Sequence, residues 1–552
     1  MPKFIRMFLV GVIALVAAVG VAACGDDDDD GGGGGAAGGS ITIAQTSQPD
    51  FLDPALSYTV NGWEPMWLVY TPPVTYRRAE GEEGTELIPG VAEELPEVSE
   101  DGRTYTFTIR EGLEYSDGTR VKASDFEHTI KRVLNLESGA SFFYETIEGA
   151  TEYIEAGEAE GDISGIETND RTGEVTIRLT ERSGQFINVL GMNFAGIVPG
   201  DTPFRNLTND PPLGVGPYQI TESVPNREFV MERNENFDIP DIPKGNIDTI
   251  TTRIVKSAER QTQDVIRGEL DFMQDPPPAD LLPEVRSKYS DRYEEHETVS
   301  TYYFFLNVRT PPFDKKEVRD AVNYATDSTA LARLFGGRLE PSCNFLPSTL
   351  LGFEAIEPCP FGDPAGEPDI ERARQLIEDA GAAGASVTAY TNNDENRPEI
   401  GQYLTDMLNE IGLDAELEAV DGGVYFQTIG NEKTGAQIGF LNWYMDFPHP
   451  GNFLFLVDSE SIQPTNNQNI GNVSDPELDE LIDTVNSGPA TDDAVQEAAA
   501  EADRILVENS YVVPYGTETV STFMSERMDF ENCSLFHPVY QNDYSSFCLK
   551  EE

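Results

Sequence analysis

SVTAYTNNDENRPEIGQYLTDMLNEIGLDAELEAV, residues 386–420, is the stretch whose reading decides the fold class. Ser386 to Thr391 carries the β-branched and aromatic residues of a strand. From Glu399 to Ile411 the period changes. Ile400, Leu404, Met407, Leu408 and Ile411 fall on one helical face, and Gly412 supplies the left-handed residue that closes a helix. Asp414 to Val420 is again strand-like. Strand, helix and strand in this length form a βαβ unit, and such a unit implies neighbouring parallel strands.

On either side the pattern continues. A helix from Asp369 to Ala380 stops at Gly381. Asp475-Pro476 starts another that carries Leu478, Leu481, Ile482 and Val485. The first half reads differently. Ile41–Ala44, Thr104–Arg110, Glu174–Leu179 and Arg227–Glu232 are predicted strands, the second alternating Tyr105, Phe107 and Ile109 against threonines. Ser124-Asp125-Phe126-Glu127 has the form of a capping box opening a helix through Leu134. Mixed strands followed by α/β alternation imply an α/β protein of lobes facing one another. At 552 residues, two or three domains are expected.

Charge excludes some partners. Ninety-eight acidic against 37 basic residues leave −61, which argues against nucleic acid and against adsorption on an anionic membrane surface. Solubility explains the acid most simply. Steering of cationic ligands is the sharper reading, limited by a Debye length of roughly 8–10 Å.

The N-terminus reads as an export signal. Lys3 and Arg6 precede an uncharged run from Met7 to Ala23, which ends in Val21-Ala22-Ala23-Cys24-Gly25. This resembles the bacterial lipobox, whose cysteine accepts a diacylglyceryl group, and two acyl chains suffice for stable anchoring. The alternative is an uncleaved membrane helix. Asp26–Asp30, Gly31–Gly35 and Ala36–Gly39 follow and cannot bury apolar surface, so a disordered tether spanning roughly 20 Å is expected. Asp26, Asp28, Asp30 and Gly31 match the opening of a calcium loop, but Ala37 stands where its last carboxylate is required.

Export places the remaining cysteines in an oxidising compartment. Three pairings are possible. Cys343–Cys359 with Cys533–Cys548 is the local solution and the expected one, each bridge closing a loop worth about 3 kcal/mol. Metal binding is disfavoured. There is no CxxC, and His128, His296, His449 and His537 are scattered.

Several stretches, in order, resemble one family. These are Leu52-Asp53-Pro54-Ala55; residues 91–125 (VAEELPEVSEDGRTYTFTIREGLEYSDGTRVKASD); Gly214-Val215-Gly216-Pro217-Tyr218; Glu232-Arg233-Asn234; Gly268-Glu269-Leu270-Asp271; Asn307 with Arg319-Asp320-Ala321 and Asp327; and Trp443-Tyr444-Met445-Asp446-Phe447-Pro448. Together, over about residues 41–530, they resemble the peptide-type (peptide and nickel) extracytoplasmic solute-binding proteins of ABC importers. Val215 replaces a threonine of that pattern, and His449 stands where an acid is usual. The stretch after Phe530 has no counterpart in it. The resemblance implies a periplasmic-binding-protein-like type II fold of two hinged lobes in three domains. Domain I would be 40–62, 203–302 and 515–552; domain II 63–202; domain III 303–514; with 1–23 a signal peptide and 24–39 the tether. It also implies a monomeric lipoprotein, without cofactor or metal, on the extracytoplasmic face of a bacterial membrane. Such a protein passes short peptides to ABC permease subunits driven by a cytoplasmic ATPase.

A receptor for varied peptides must grip what peptides share, including the α-ammonium. Asp446 is the candidate. It follows a buried strand, Gln437–Trp443, and matches the aspartate that holds the ligand's amino terminus in peptide-binding relatives. A loop-capping Asp before a Phe-Pro turn is the plainer reading. Trp443 and Tyr444 are candidates for stacking on ligand, as is Tyr303 on the expected crossover strand 302–305, whose cleft-lining face the sequence leaves open. Trp63 and Tyr58 are further candidates. Rival readings are a receptor for an oligosaccharide or metal chelate on the same fold, an adhesin or structural lipoprotein, and a secreted hydrolase. No GxSxG, HExxH or Walker phosphate loop occurs. Replacing Cys24 by Ser is expected to move the protein from the membrane fraction to the soluble one; a Cys24→Ser protein that still sediments with lipid would exclude the anchor.

Overall fold

The computed structural model describes residues 38–551, apart from 137, 158, 160, 394 and 395. Cys24, the apolar run before it and nearly all of the tether lie outside the described residues. Among the described residues, no helix is long and apolar enough to cross a membrane.

A twelve-stranded mixed sheet organises the chain. In its first half Ser40–Gln45 lies between Thr249–Ile254 and Phe272–Met273, parallel to both. Glu228–Arg233 and Tyr218–Val224 extend it antiparallel. In its second half Ser300–Leu306 pairs antiparallel with Ile438–Tyr444, which runs parallel to Ser386–Asn392. Ser386–Asn392 is in turn parallel to Asp414–Val420, with the helix Arg397–Glu410 between them in sequence. This is the βαβ unit that the two hydrophobic periods imply. The strand Val512–Met524 joins the halves. Its residues 512–516 pair with Ser300–Leu306, and its residues 519–523 pair with Tyr293–Glu297.

A separate four-stranded antiparallel sheet holds Glu97–Val98, Thr104–Thr108, Glu174–Arg178 and Ile166–Asn169. The helix Ala123–Asn135 packs on it, with Phe126 edge-on to Phe107 at 5.4 Å. Its start corrects the expected capping box. The N-cap is Lys122, and Asp125 accepts the Lys122 N–H at 2.9 Å. Ser124 is already inside the first turn, and Asp170 accepts both its N–H (2.8 Å) and its hydroxyl (3.0 Å).

The Leu52-Asp53-Pro54 motif gains a physical role here. Arg132 and Asp53 form a two-pronged ion pair, at 2.9 and 2.8 Å, with both side chains 0% exposed. Arg132 also donates to the carbonyls of Pro203 and Arg205, and Asp53 accepts the Leu207 N–H. One pair therefore binds the chain's beginning, the Ala123–Asn135 helix and residues 203–207. Both cysteine bridges join sequence neighbours, Cys343 to Cys359 and Cys533 to Cys548. Asp53→Ala is expected to cost about 3–5 kcal/mol in urea unfolding, because it strands the Arg132 charge in the interior. A loss under about 1 kcal/mol, the range of an exposed pair, would contradict this.

Candidate functional site

Register decides which face each aromatic residue takes. Trp443 sits opposite Thr301, Tyr444 opposite Ser300, and Leu441 opposite Tyr303. Successive strand residues point to opposite sides, so Trp443, Leu441, Tyr303 and Thr301 share one face while Tyr444, Asn442, Tyr302 and Ser300 share the other. Tyr303 is packed on the Trp443 face. Its ring is 3% exposed and lies edge-on to Phe345 at 5.0 Å, inside the hydrophobic core.

Tyr444 is held on the other face. Its hydroxyl bonds to the Glu518 carboxylate and, at 2.8 Å, to Tyr302, which itself donates to Glu518 at 2.7 Å. Arg338 completes this cluster with a 2.7 Å contact to Glu518. Tyr444 is thereby drawn away from its chain neighbours Trp443 and Asp446.

Trp443, Asp446, Tyr58 and Trp63 come together. The strand Ile438–Tyr444 ends two residues before Asp446, and the chain then turns into the short helix Gly451–Leu454. Asn452 on that helix fixes the turn. Its Oδ1 accepts the Asp446 N–H at 2.8 Å and the Trp443 indole N–H at 3.4 Å, while its Nδ2 donates to Asp446 Oδ2 at 2.9 Å. Tyr58, 388 positions away, donates its hydroxyl to the same Oδ2 at 3.3 Å. Both donors converge on one carboxylate oxygen, which leaves Oδ1 available to a further donor. Among the described residues Asp446's carboxylate accepts no backbone N–H, unlike a loop-capping aspartate.

The Tyr58 loop is shaped from below by Asp50. That carboxylate accepts the N–H groups of Phe51, Tyr58 and Thr59 at 2.8, 2.7 and 3.2 Å. Asn193 donates to the Pro54 and Ser57 carbonyls. Trp63 donates to the Ser57 carbonyl at 3.0 Å and stacks on Tyr58 with ring centres 5.8 Å apart. Trp443 approaches Tyr58 edge-on at 6.4 Å and Phe455 at 5.1 Å. Asp50, Asn193 and Asn452 were missed in the sequence. Small polar residues in short turns are common, and the signal that separates these three, burial against distant chain, is not local.

Electrostatics follow from burial. Asp446 is 4% exposed, and loss of water raises its pKa from 3.8 to about 7, with the Asn452 and Tyr58 donors acting the other way. A folded-state pKa above the unfolded value means that the folded protein binds the extra proton. Asp446 therefore favours folding at low pH, and that contribution is lost as pH rises from about 4 through about 7. His449 plays no such part. Its Nδ1 accepts the Gly451 N–H at 3.0 Å and its Nε2 faces the Gly488 carbonyl at 3.0 Å. Burial pushes its pKa down to about 4, so it is a neutral structural donor in the loop.

The family model for the middle region of bacterial extracellular solute-binding proteins, family 5, matches residues 86–464, more than half of the chain. The chain belongs to that family. Among its family 5 relatives, the oligopeptide-binding protein OppA of Bacillus subtilis (strain 168) is 26% identical over 392 residues, covering 66% of this chain and 69% of OppA. The dipeptide-binding protein DppE of the same organism is 24% identical over 484 residues, 85% of this chain and 84% of DppE. The structure of clavulanic acid biosynthesis oligopeptide binding protein 2 matches with a TM-score of 0.84 at 24% identity, over 94% of this chain and 96% of that one. Haemophilus influenzae OppA in complex with RPPGFSPFR matches with a TM-score of 0.72 at 19% identity, over 93% and 99%. This family 5 chain thus has the type II periplasmic-binding fold. Its Asp446 carboxyl is expected to titrate near pH 7 in carbon-detected NMR, and Tyr58→Phe should move the midpoint upward by removing a donor to the carboxylate. A midpoint near 4 in the parent protein would contradict the burial argument.

Proposed function

We propose that the protein captures short peptides outside the cytoplasmic membrane and delivers them to an ABC importer. The observation that carries this reading is the Asp446 carboxyl, buried among Tyr58, Trp63 and Trp443, with one oxygen held by two donors and the other open. A peptide α-ammonium is a donor of matching charge, and its arrival in a poorly hydrated site gives a strong charge-assisted hydrogen bond. Relatives named for oligopeptides and dipeptides, and a structural neighbour holding RPPGFSPFR, support the same ligand class.

In this reading the two lobes are built from domain I (40–62, 203–302 and 515–552), domain II (63–202) and domain III (303–514). Two strands pass between domains I and III, near residues 297–300 and 517–519, and serve as the hinge. Peptide touching both residues 51–63 and residues 443–452 binds the closed arrangement better than the open one and so shifts the population toward closure. The closed surface is what permease subunits recognise, while a lipid on Cys24 keeps the monomer at the membrane. The family relatives are binding proteins, which supports capture over hydrolysis.

The test is calorimetry with a pool of free-amine tri- to pentapeptides and the same pool N-acetylated. Acetylation, and separately Asp446→Asn, should weaken binding at least about tenfold, the effect of losing a hydrogen bond between charged groups. Free-amine affinity should fall as pH drops below 7, because Asp446 must first lose its proton. Equal affinities for the two pools would rule out the amine-anchoring role.

A further inference from the structure

The segment after Phe530 packs against the back of the Tyr58–Trp63 site. Cys533 and Cys548 close it into a loop. Inside the loop, Tyr540 is 3% exposed and clamped on every side. Its hydroxyl lies 2.7 Å from Thr75 Oγ1 and accepts the Tyr76 N–H at 3.0 Å. The Arg78 guanidinium covers its ring at 4.1 Å, and the His537 ring stacks on it at 4.2 Å. His537 is itself fixed. Its Nδ1 accepts the Val539 and Tyr540 N–H groups, each at 3.1 Å, and its Nε2–H donates to the Arg77 carbonyl at 2.9 Å. Tyr544, four residues on, donates to the buried Glu64 carboxyl.

What Tyr540 supports is Trp67, with ring centres 4.2 Å apart. Trp67 lies on the helix Val60–Val69, is 3% exposed, and its indole N–H makes no hydrogen bond to the protein, so packing sets the orientation of its ring. Trp67 meets Trp63 edge-on at 6.1 Å, Trp63 stacks on Tyr58 at 5.8 Å, and Tyr58 donates to Asp446. We propose that Tyr540, held by the Cys533–Cys548 loop, is a positioning residue for peptide capture, setting the Trp67–Trp63–Tyr58 stack that presents a donor to Asp446. This rests on the peptide reading of Asp446. Tyr540 touches no ligand. It acts through a run of rings, because close-packed aromatic side chains pass displacement to their neighbours.

The protein supplies its own reporter. It has three tryptophans, Trp63, Trp67 and Trp443, and all three lie in or beside this site. The experiment uses the full chain with Tyr540→Ala, Tyr540→Phe and the double variant Cys533→Ala/Cys548→Ala. Free-amine and N-acetylated tri- to pentapeptide pools are titrated across pH while tryptophan emission is followed. Tyr540→Ala is expected to weaken free-amine binding at least about tenfold, shift emission to the red, and raise the pH midpoint of binding as the Tyr58 donor is lost. Tyr540→Phe keeps the ring but not the hydroxyl contacts, so it should melt at a lower temperature yet bind within about threefold of the parent protein. A purely structural role would make affinity follow stability in both variants, which overturns the proposal. If Tyr540→Ala does not fold, the double cysteine variant decides, with the same direction of change expected. A parent protein that binds both pools alike overturns the amine-anchoring function. A parent that discriminates, with Tyr540→Ala unchanged in affinity and pH midpoint, overturns the positioning role alone.

Discussion

Backbone hydrogen bonding along Val512–Met524 is the constraint on which the architecture rests. Its 13 residues take partners from Ser300–Leu306 at one end and from Tyr293–Glu297 and Phe272–Met273 at the other. A buried strand cannot leave its N–H and C=O groups unpaired, so the two halves of the sheet are bound to one continuous element. Near the middle of that element Thr298 N–H bonds to the Glu518 carbonyl, and Glu518 N–H to Ser300 Oγ. On its other edge Glu518 and Thr517 pair antiparallel with Leu339 and Glu340.

The buried Asp53–Arg132 pair works alongside that strand. It fastens the first strand's exit to the Ala123–Asn135 helix and to residues 203–207, the segments by which the chain leaves and re-enters its first sheet. A paired and fully bonded charge in the interior resists shear, since separating its partners would leave each charge unsolvated. Motions that would misplace the Tyr58 loop relative to the four-stranded sheet are therefore costly. Asp50 and Asn193 extend the same control to the loop itself.

Asp446 shows the opposite use of burial. Its carboxyl is held by donors on one oxygen only, and desolvation leaves it poised near neutrality. Burial makes such a group costly to ionise without a cation beside it. Glu518, on the other face of the same sheet, has Tyr302, Tyr444 and Arg338 as partners and is satisfied without any ligand. Two carboxylates in comparable burial thus differ in how fully their oxygens are bonded.

Local sequence determined the elements. Alternation at period two and at period 3.6 specified the strands and helix of residues 386–420, Asp446 stood at a strand end by the length of the strand before it, and the neighbouring cysteines needed only a short closure. Tertiary structure decided the rest. Alternation says that Tyr302 and Tyr303 point opposite ways but not what each meets, Glu518 for one and Phe345 for the other, because that depends on the elements packed beside them. The Tyr58 hydroxyl reaches Asp446 across 388 positions, and Tyr540 reaches Trp67 from the loop closed by Cys533 and Cys548. Such contacts join residues whose local sequences carry no mark of each other, so they exist only once the chain has closed on itself.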